Sequence, residues 1–300
     1  MKTSIQLKMI QTIAKVGKIN KLWYLKGSAL KTTIAKKQSK IALPSKKLRE
    51  SCAVTSHQIE GFDLYEVSPK SDAKNLIIYL AGGGFVLPIS SLHWDFIQLL
   101  VDETNSKVIV PLYPLAPNHN VDTVMQYLTT IYKNSTQQQQ PETITIMGDS
   151  AGGNLALAFS IYLKTLGLPQ PKQVIAISPV VDLTFSNPDI AAIEAKDYIV
   201  GTPALKEIGE WYRGTHTLQS PIISPLFGDF THTAPRVIFS STGDLTNPDT
   251  RLFAEKNKEN TTYYEYPYYP HIFPIYPIPE GEDARRKIIS QLKTKNKPQI

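Results

Sequence analysis

The hexapeptide Gly148-Asp149-Ser150-Ala151-Gly152-Gly153 lies between the β-branched run Thr143 to Met147 and the helix-forming run Asn154 to Leu166. A serine held where a strand turns abruptly into a helix must point its hydroxyl away from the backbone, and Gly148 and Gly152 leave room for chain segments that nearly touch. Ser150 is therefore a candidate nucleophile. An unaided hydroxyl is weak at neutral pH, so this chemistry needs a base within hydrogen-bond reach and a third group to orient that base.

Six histidines are available for the base. His271 follows the apolar-aromatic run Thr262 to Tyr266 after a proline-broken connection and precedes the last helical segment, which places it at the end of a strand. His57 precedes the first expected strand, His216 and His232 lie in or beside a polar insertion, and His93 and His119 are expected to bond locally. For the orienting acid, Asp244 follows the strand-like run Pro235 to Ser241 by three residues. Asp249 is the rival, but it immediately precedes Thr250 to Lys258 and suits capping of that helix. Acyl transfer also develops a negative oxygen that needs donors already in place. Ala151 offers its backbone N–H directly after the nucleophile, and Gly83 and Gly84 offer theirs from the loop after Asn75 to Leu80, where the lack of side chains lets amides approach the oxyanion.

Competing motifs fail on their residues. Asn154 and Leu155 stand where a phosphate loop requires Lys and Ser or Thr, and Leu87 stands where a dinucleotide loop requires a third glycine. No paired cysteine or His-Glu-x-x-His spacing suggests a metal site, so neither metal nor cofactor is expected.

These groups must be positioned by short apolar strands alternating with helices. Gly61 to Val67 reads as the first strand, Asn75 to Leu80 as a buried one and Lys107 to Val110 as a third. Asp122 to Tyr132 has helical periodicity, and Ser135 to Pro141, with its four glutamines, reads as an exposed connector. The strand and helix around Ser150 follow, then strand Gln173 to Ser178, a weakly helical insertion from about 185 to 220, and a final helix Gly281 to Lys293. This alternation predicts an α/β fold with a mainly parallel sheet covered on both faces, whose reactive groups gather beyond the carboxyl ends of the strands.

Three hundred residues, 42% apolar and 19% charged, suffice for one domain that buries roughly three quarters of its surface. One cysteine, Cys52, excludes an intrachain disulfide and fits a cytoplasmic setting; no apolar stretch suits a secretory signal or a spanning helix. The net charge of +6 is uneven: residues 1 to 50 hold 13 Lys and Arg against Glu50 alone. Ile5, Met9, Ile13 and Val16 recur there at helical spacing, with Lys8, Lys15 and Lys18 off that face. The expectation is that this apolar face packs over the catalytic core with its lysines in water. The alternative is peripheral contact with an anionic membrane at the inner face. Nucleic acid is not an expected partner, because no recognition motif accompanies the charge.

Together these features make the chain resemble the hormone-sensitive-lipase-like branch of the α/β-hydrolase superfamily, which includes small bacterial carboxylesterases. The resemblance spans about residues 60 to 295 and rests on Ala81-Gly82-Gly83-Gly84-Phe85, Tyr113-Pro114-Leu115-Ala116-Pro117, the Ser150 hexapeptide, Asp244 and His271. The chain order Ser150, Asp244, His271 is the one expected of that superfamily. It implies an eight-stranded, mostly parallel sheet and hydrolysis of small-molecule carboxylic esters. It also implies a single domain with a helical cap from about 1–50 and 185–220 over a core of about 51–184 and 221–300. Short to medium acyl chains are the default; an amidase, an acyltransferase or a ligand-binding protein with little turnover are the alternatives. Two residues depart from the family pattern: Ala81 replaces the histidine that usually opens the oxyanion loop, and Asn118 replaces an acidic residue after Leu-Ala-Pro.

Overall fold

Eight strands build one sheet in the computed structural model, which describes residues 4–294. In chain order they are β1 (Ala53–Ile59), β2 (Phe62–Ser68), β3 (Leu76–Leu80), β4 (Lys107–Pro111), β5 (Ile144–Asp149), β6 (Gln173–Ile177), β7 (Arg236–Ser241) and β8 (Thr261–Tyr266). Their order across the sheet is β1-β2-β4-β3-β5-β6-β7-β8, with β1 and β2 antiparallel to their neighbours and the rest parallel. The expected first strand is thus the second. β1 precedes it through a two-residue turn at Glu60 and Gly61, both at positive φ, and carries His57 inside the sheet rather than before it. Every residue of β1 is exposed or half-buried, so no alternation marks it as a strand.

Successive residues of the central strands feed two separate cores, as a parallel sheet covered on both faces requires. Leu76, Ile78 and Leu80 of β3 face one side, with α5 (Val121–Gln138) and α6 (Ala151–Thr165). Ile77 and Tyr79 face the other, with α4 (Ser91–Thr104) and α10 (Glu282–Lys293). The glutamine run is not a connector throughout: α5 continues to Gln138, because glutamine is a good helix former and no proline intervenes before Pro141.

Two segments lie beyond the carboxyl ends of the strands. The first holds α1 (Ile5–Val16), a 3₁₀ turn at Ile19–Tyr24 and α2 (Gly27–Gln38), and α3 (Lys46–Ser51) follows it before β1; the second holds α7 (Ile190–Glu194) and α8 (Thr202–Tyr212). They are joined at Gly27, whose N–H donates to the Glu207 carboxylate at 3.0–3.1 Å, and at Asn20, whose amide donates to the Asp197 carbonyl at 3.3 Å. The expected packing of α1 is reversed. Leu7 and Ala14 form its buried seam, whereas Ile5, Met9, Ile13 and Val16 all face solvent. The spacing of those four marks a stripe correctly, but Leu7 and Ala14, one heptad apart, make the opposite stripe, and that one fits the body of the protein. No described helix is long and apolar enough to cross a membrane.

Candidate active site

The turn from β5 into α6 places Ser150 at φ 53° and ψ −119°, a conformation costly for a residue with a Cβ. Surrounding contacts hold it there. Ser150 N–H donates to the Ile177 carbonyl at 2.8 Å, and its carbonyl accepts from Asn154 N–H at 3.0 Å. Glycine is required beside it, since a Cβ on Gly152 would land on the Leu80 carbonyl oxygen and one on Gly148 on the Gly152 carbonyl. Strand and helix cross too closely for any side chain, and the result presents a half-buried hydroxyl at the strand end.

The structure brings His271 and Asp244 to that hydroxyl from loops after β8 and β7. His271 Nε2 lies 2.8 Å from Ser150 Oγ, and His271 Nδ1 lies 2.9 Å from Asp244 Oδ2. Asp244 is fully buried, and its Oδ1 accepts from Thr246 N–H at 2.9 Å. Burial raises the Asp244 pKa, but the His271 charge, its hydrogen bond and those from Thr246 and Ser178 outweigh this, holding the carboxyl below its ordinary value. For His271, burial disfavours the charged form. The Asp244 carboxylate and its hydrogen bond, then Asp197 and Asp149, more than offset that, so the imidazole titrates above its usual value. Asp249 is placed elsewhere: it lies within the first turn of α9 (Asn247–Lys256) rather than capping it, and accepts from Asn187 at 2.8 Å.

The loop after β3 faces the same hydroxyl. Gly83 and Gly84 have φ of 142° and 59°, and among the described residues their N–H groups meet no acceptor. A Cβ on Gly84 would lie 2.8 Å from the Trp23 ring, so glycine is needed for space as well as conformation. Ala151 N–H, in the first turn of α6, likewise has no helical partner. Several hydrogen bonds hold the loop that Ala81 opens. The Ala81 carbonyl accepts from Tyr113 Oη at 2.6 Å, Gly82 N–H donates to Asp149 Oδ1 at 3.1 Å, and Gln38 Nε2 bridges the Val86 and Ala116 carbonyls at 2.9 and 2.8 Å.

Two buried acids, Asp149 and Asp197, and the groups that hold them were not legible as part of this site. His93 bonds locally, as expected, through Nδ1 to Ser90 at 2.7–3.1 Å, but its Nε2 reaches 3.2 Å to Asp149 Oδ2. Since Nδ1 accepts the Ser90 backbone N–H, the proton sits on Nε2 and is donated to Asp149. Tyr79 Oη donates to the same carboxylate at 2.7 Å, so a buried acid directly before Ser150 anchors the glycine loop. Burial pushes the Asp149 carboxyl up, yet His93 and the bonds from His93, Tyr79 and Gly82 leave it below its usual value. Asp197 is the second. Its carboxylate accepts from Ile199 and Val200 N–H at 2.7 and 3.1 Å and approaches Leu245 N–H at 3.4 Å, next to Asp244. Burial and then repulsion by Asp244 push its pKa up to about 6. Neither could be found by spacing, because both act through contacts between distant segments; a buried-acid signal exists only after folding.

The relay opens into a pocket of about 310 Å³. Its walls are mainly apolar: Ile19, Leu22, Trp23, Leu87, Val200 and Leu205, with Ser150 and His271 at the base. The tyrosines from Tyr263 to Tyr269 are not among its lining residues; Tyr264 stacks on Phe239 at 5.0 Å and Tyr268 is in solvent. The remaining histidines are elsewhere: His119 packs edge-on against Phe62, His216 pairs with Asp122, and His232 is exposed.

Comparison with known proteins places the chain in a family. Residues 77–275 match the model of a family described by its alpha/beta hydrolase fold. A triacylglycerol lipase of Mycobacterium tuberculosis is 27% identical over 62% of this chain and 38% of its own length, and an esterase of Acinetobacter venetianus is 30% identical over 65% of each. The chain thus spans less than two thirds of these relatives. A hormone-sensitive lipase from a metagenome library, 21% identical, superposes with a TM-score of 0.83 over 97% of this chain and 99% of its own, which shows the fold. A hormone-sensitive lipase of Bos taurus is also similar, 24% identical over 51% of this chain and 21% of its own length, and by the family match the chain belongs to the alpha/beta hydrolase fold family.

Proposed function

We propose that the protein hydrolyses carboxylic esters of short to medium acyl chain through a serine acyl-enzyme. The observation that carries this reading is the unbroken relay from Ser150 Oγ through His271 to Asp244, beside two free loop amides. His271 Nε2 takes the Ser150 proton as Oγ attacks the ester carbonyl. The amides of Gly83, Gly84 and Ala151 receive the developing oxyanion, and the same Nε2 then protonates the leaving alcohol. Water, deprotonated in turn by His271, releases the acid. The names of the relatives, esterase and triacylglycerol lipase, support the same class of substrate. An amidase or acyltransferase would use these residues too, but nothing in the pocket selects an amide or a second acceptor.

In this reading α1 to α2 and α7 to α8 form the cap over the site, since their residues make most of the apolar wall. A volume of 310 Å³ lies at the low end of the roughly 300–1,000 Å³ typical of small-molecule sites, which favours small acyl groups. A fluorophosphonate probe is expected to label Ser150, located by peptide mass spectrometry; modification of another residue alone would refute the nucleophile. In a p-nitrophenyl ester series from acetyl to palmitoyl, kcat/KM is expected to peak among the shorter chains, and a maximum at palmitoyl would contradict the pocket argument.

Asp197 acts in this scheme as a positioning residue. It holds the amides of Ile199 and Val200, which line the pocket, and its charge favours the imidazolium form of His271. Above pH about 6, where Asp197 is ionised, Asp197→Asn removes that charge, so the His271 pKa falls. The acid limb of the kcat/KM profile is expected to move to lower pH, while a side chain with only a packing role would leave the limb in place.

A further inference from the structure

The outward stripe of α1 is an apolar surface with no cover, and it is built to face outward. Ser4 caps the helix and is held by Glu280, its N–H at 2.6 Å and its Oγ at 2.8 Å from that carboxylate, while Leu7 and Ala14 are almost wholly buried. The helix is therefore docked by one side only. On the opposite side Ile5, Met9, Ile13 and Val16 are 75%, 57%, 59% and 76% exposed, and Ile19, just past the helix end, is 52% exposed. Scattered exposed aliphatics are ordinary, but five large ones on one helix face and its exit are a contiguous patch of the kind that marks an interaction site.

Charge selects the partner. Lys8 and Lys15 flank the stripe, Lys18, Lys21 and Lys26 follow it, and all five are exposed. The first 50 residues hold 13 basic groups against one acidic group. A two-fold contact with a second copy would set this charge against itself, whereas phosphate headgroups above an acyl layer complement both the lysines and the aliphatic side chains. The stripe also leads to the site: Ile19 lines the pocket that holds Ser150 and His271.

We infer that α1 is an interfacial anchor, which seats the protein on an anionic lipid surface with its Ile5–Met9–Ile13–Val16 stripe in the headgroup region and the pocket mouth towards the lipid. Resting on the proposed ester hydrolysis, this assigns the substrate class as lipophilic esters of short to medium acyl chain that partition into a membrane surface, entering past Ile19. Lipid binding itself requires no catalysis, so its test stands apart from that reading.

The test uses the full chain and vesicles of phosphatidylcholine with or without phosphatidylglycerol. The protein is expected to co-sediment with the anionic vesicles at low salt, less so at high salt, and weakly with the neutral ones. A variant carrying Ile5→Ser, Met9→Ser, Ile13→Ser and Val16→Ser is expected to lose at least about tenfold in lipid partitioning. Its thermal unfolding and its hydrolysis of a water-soluble ester remain at the level of the parent. Lys8→Glu with Lys15→Glu is expected to remove the preference for phosphatidylglycerol and the salt dependence. Equal sedimentation of the parent and the serine variant would overturn the inference, as would a parent dimer that only the serine variant converts to monomer, since the stripe would then cover a second copy.

Discussion

Replacing Ser150 with alanine is expected to lower kcat for p-nitrophenyl butyrate by about 10⁶-fold, the order of loss known when the nucleophile of a serine hydrolase triad is removed. The reason is local. Ser150 Oγ is the atom 2.8 Å from His271 Nε2, and no other hydroxyl is placed against that nitrogen among the described residues. A residual rate above that in water is expected, because the Gly83, Gly84 and Ala151 amides survive the change. Stability responds differently: Ser150 occupies a strained φ of 53°, and alanine there loses one hydroxyl contact without a new clash, so the melting temperature stays close to that of the parent. Steady-state kinetics with a thermal melt separate the two effects. Activity within tenfold of the parent would place the nucleophile elsewhere.

Asp244→Asn is expected to cost about 10⁴-fold in kcat near neutral pH. An amide can present its NH₂ to His271 Nδ1, which favours the tautomer whose proton is on Nε2 and so leaves no lone pair to receive the Ser150 proton. The pH profile adds a second reading. Burial alone depresses the His271 pKa, and the Asp244 carboxylate is the chief opposing cause, so its loss lowers that pKa and moves the acid limb of kcat/KM to lower pH. Stability changes with a definite sign. Folding raises the His271 pKa, so the pair's contribution is complete below the ordinary histidine value of about 6.5 and fades as pH rises through the folded value. Folding lowers the Asp244 pKa, so its contribution is present above the ordinary value of about 3.9 and fades as pH falls through the folded value. Chemical denaturation of parent and variant across this range is expected to show the largest stability difference between those limits. An unchanged profile with undiminished kcat would remove Asp244 from the relay.

Much of the central fold was legible because its signals are local. The runs of β3, β5, β6 and β7 are rich in apolar residues and wholly buried, and β5 leads directly into α6. Ser150 could be assigned from six consecutive residues, since strand, turn and helix are contiguous there. His271 and Asp244 could be assigned because each follows a strand in a parallel sheet, where strand ends converge. β1 carries no such signal because it lies at the sheet edge with no buried face, and the end of α5 has the polarity of a connector although its residues favour helix.

The amino-acid sequence by itself determined the α/β class, the strand-to-helix turn at Ser150 and the candidate partners Asp244 and His271, the glycine loop and the basic amphipathic first helix, all of which depend on residue order within short stretches. Only the tertiary structure decided that His93 and Tyr79 anchor Asp149 beneath the loop, that Asp197 reaches from the insertion towards the relay, and that the apolar stripe of α1 looks outward. The physical reason is the same for each. Periodicity and composition report what a segment is able to bury or bind, while the choice among its possible partners depends on which distant surface has the complementary shape and charge, and that surface exists only once the chain has folded.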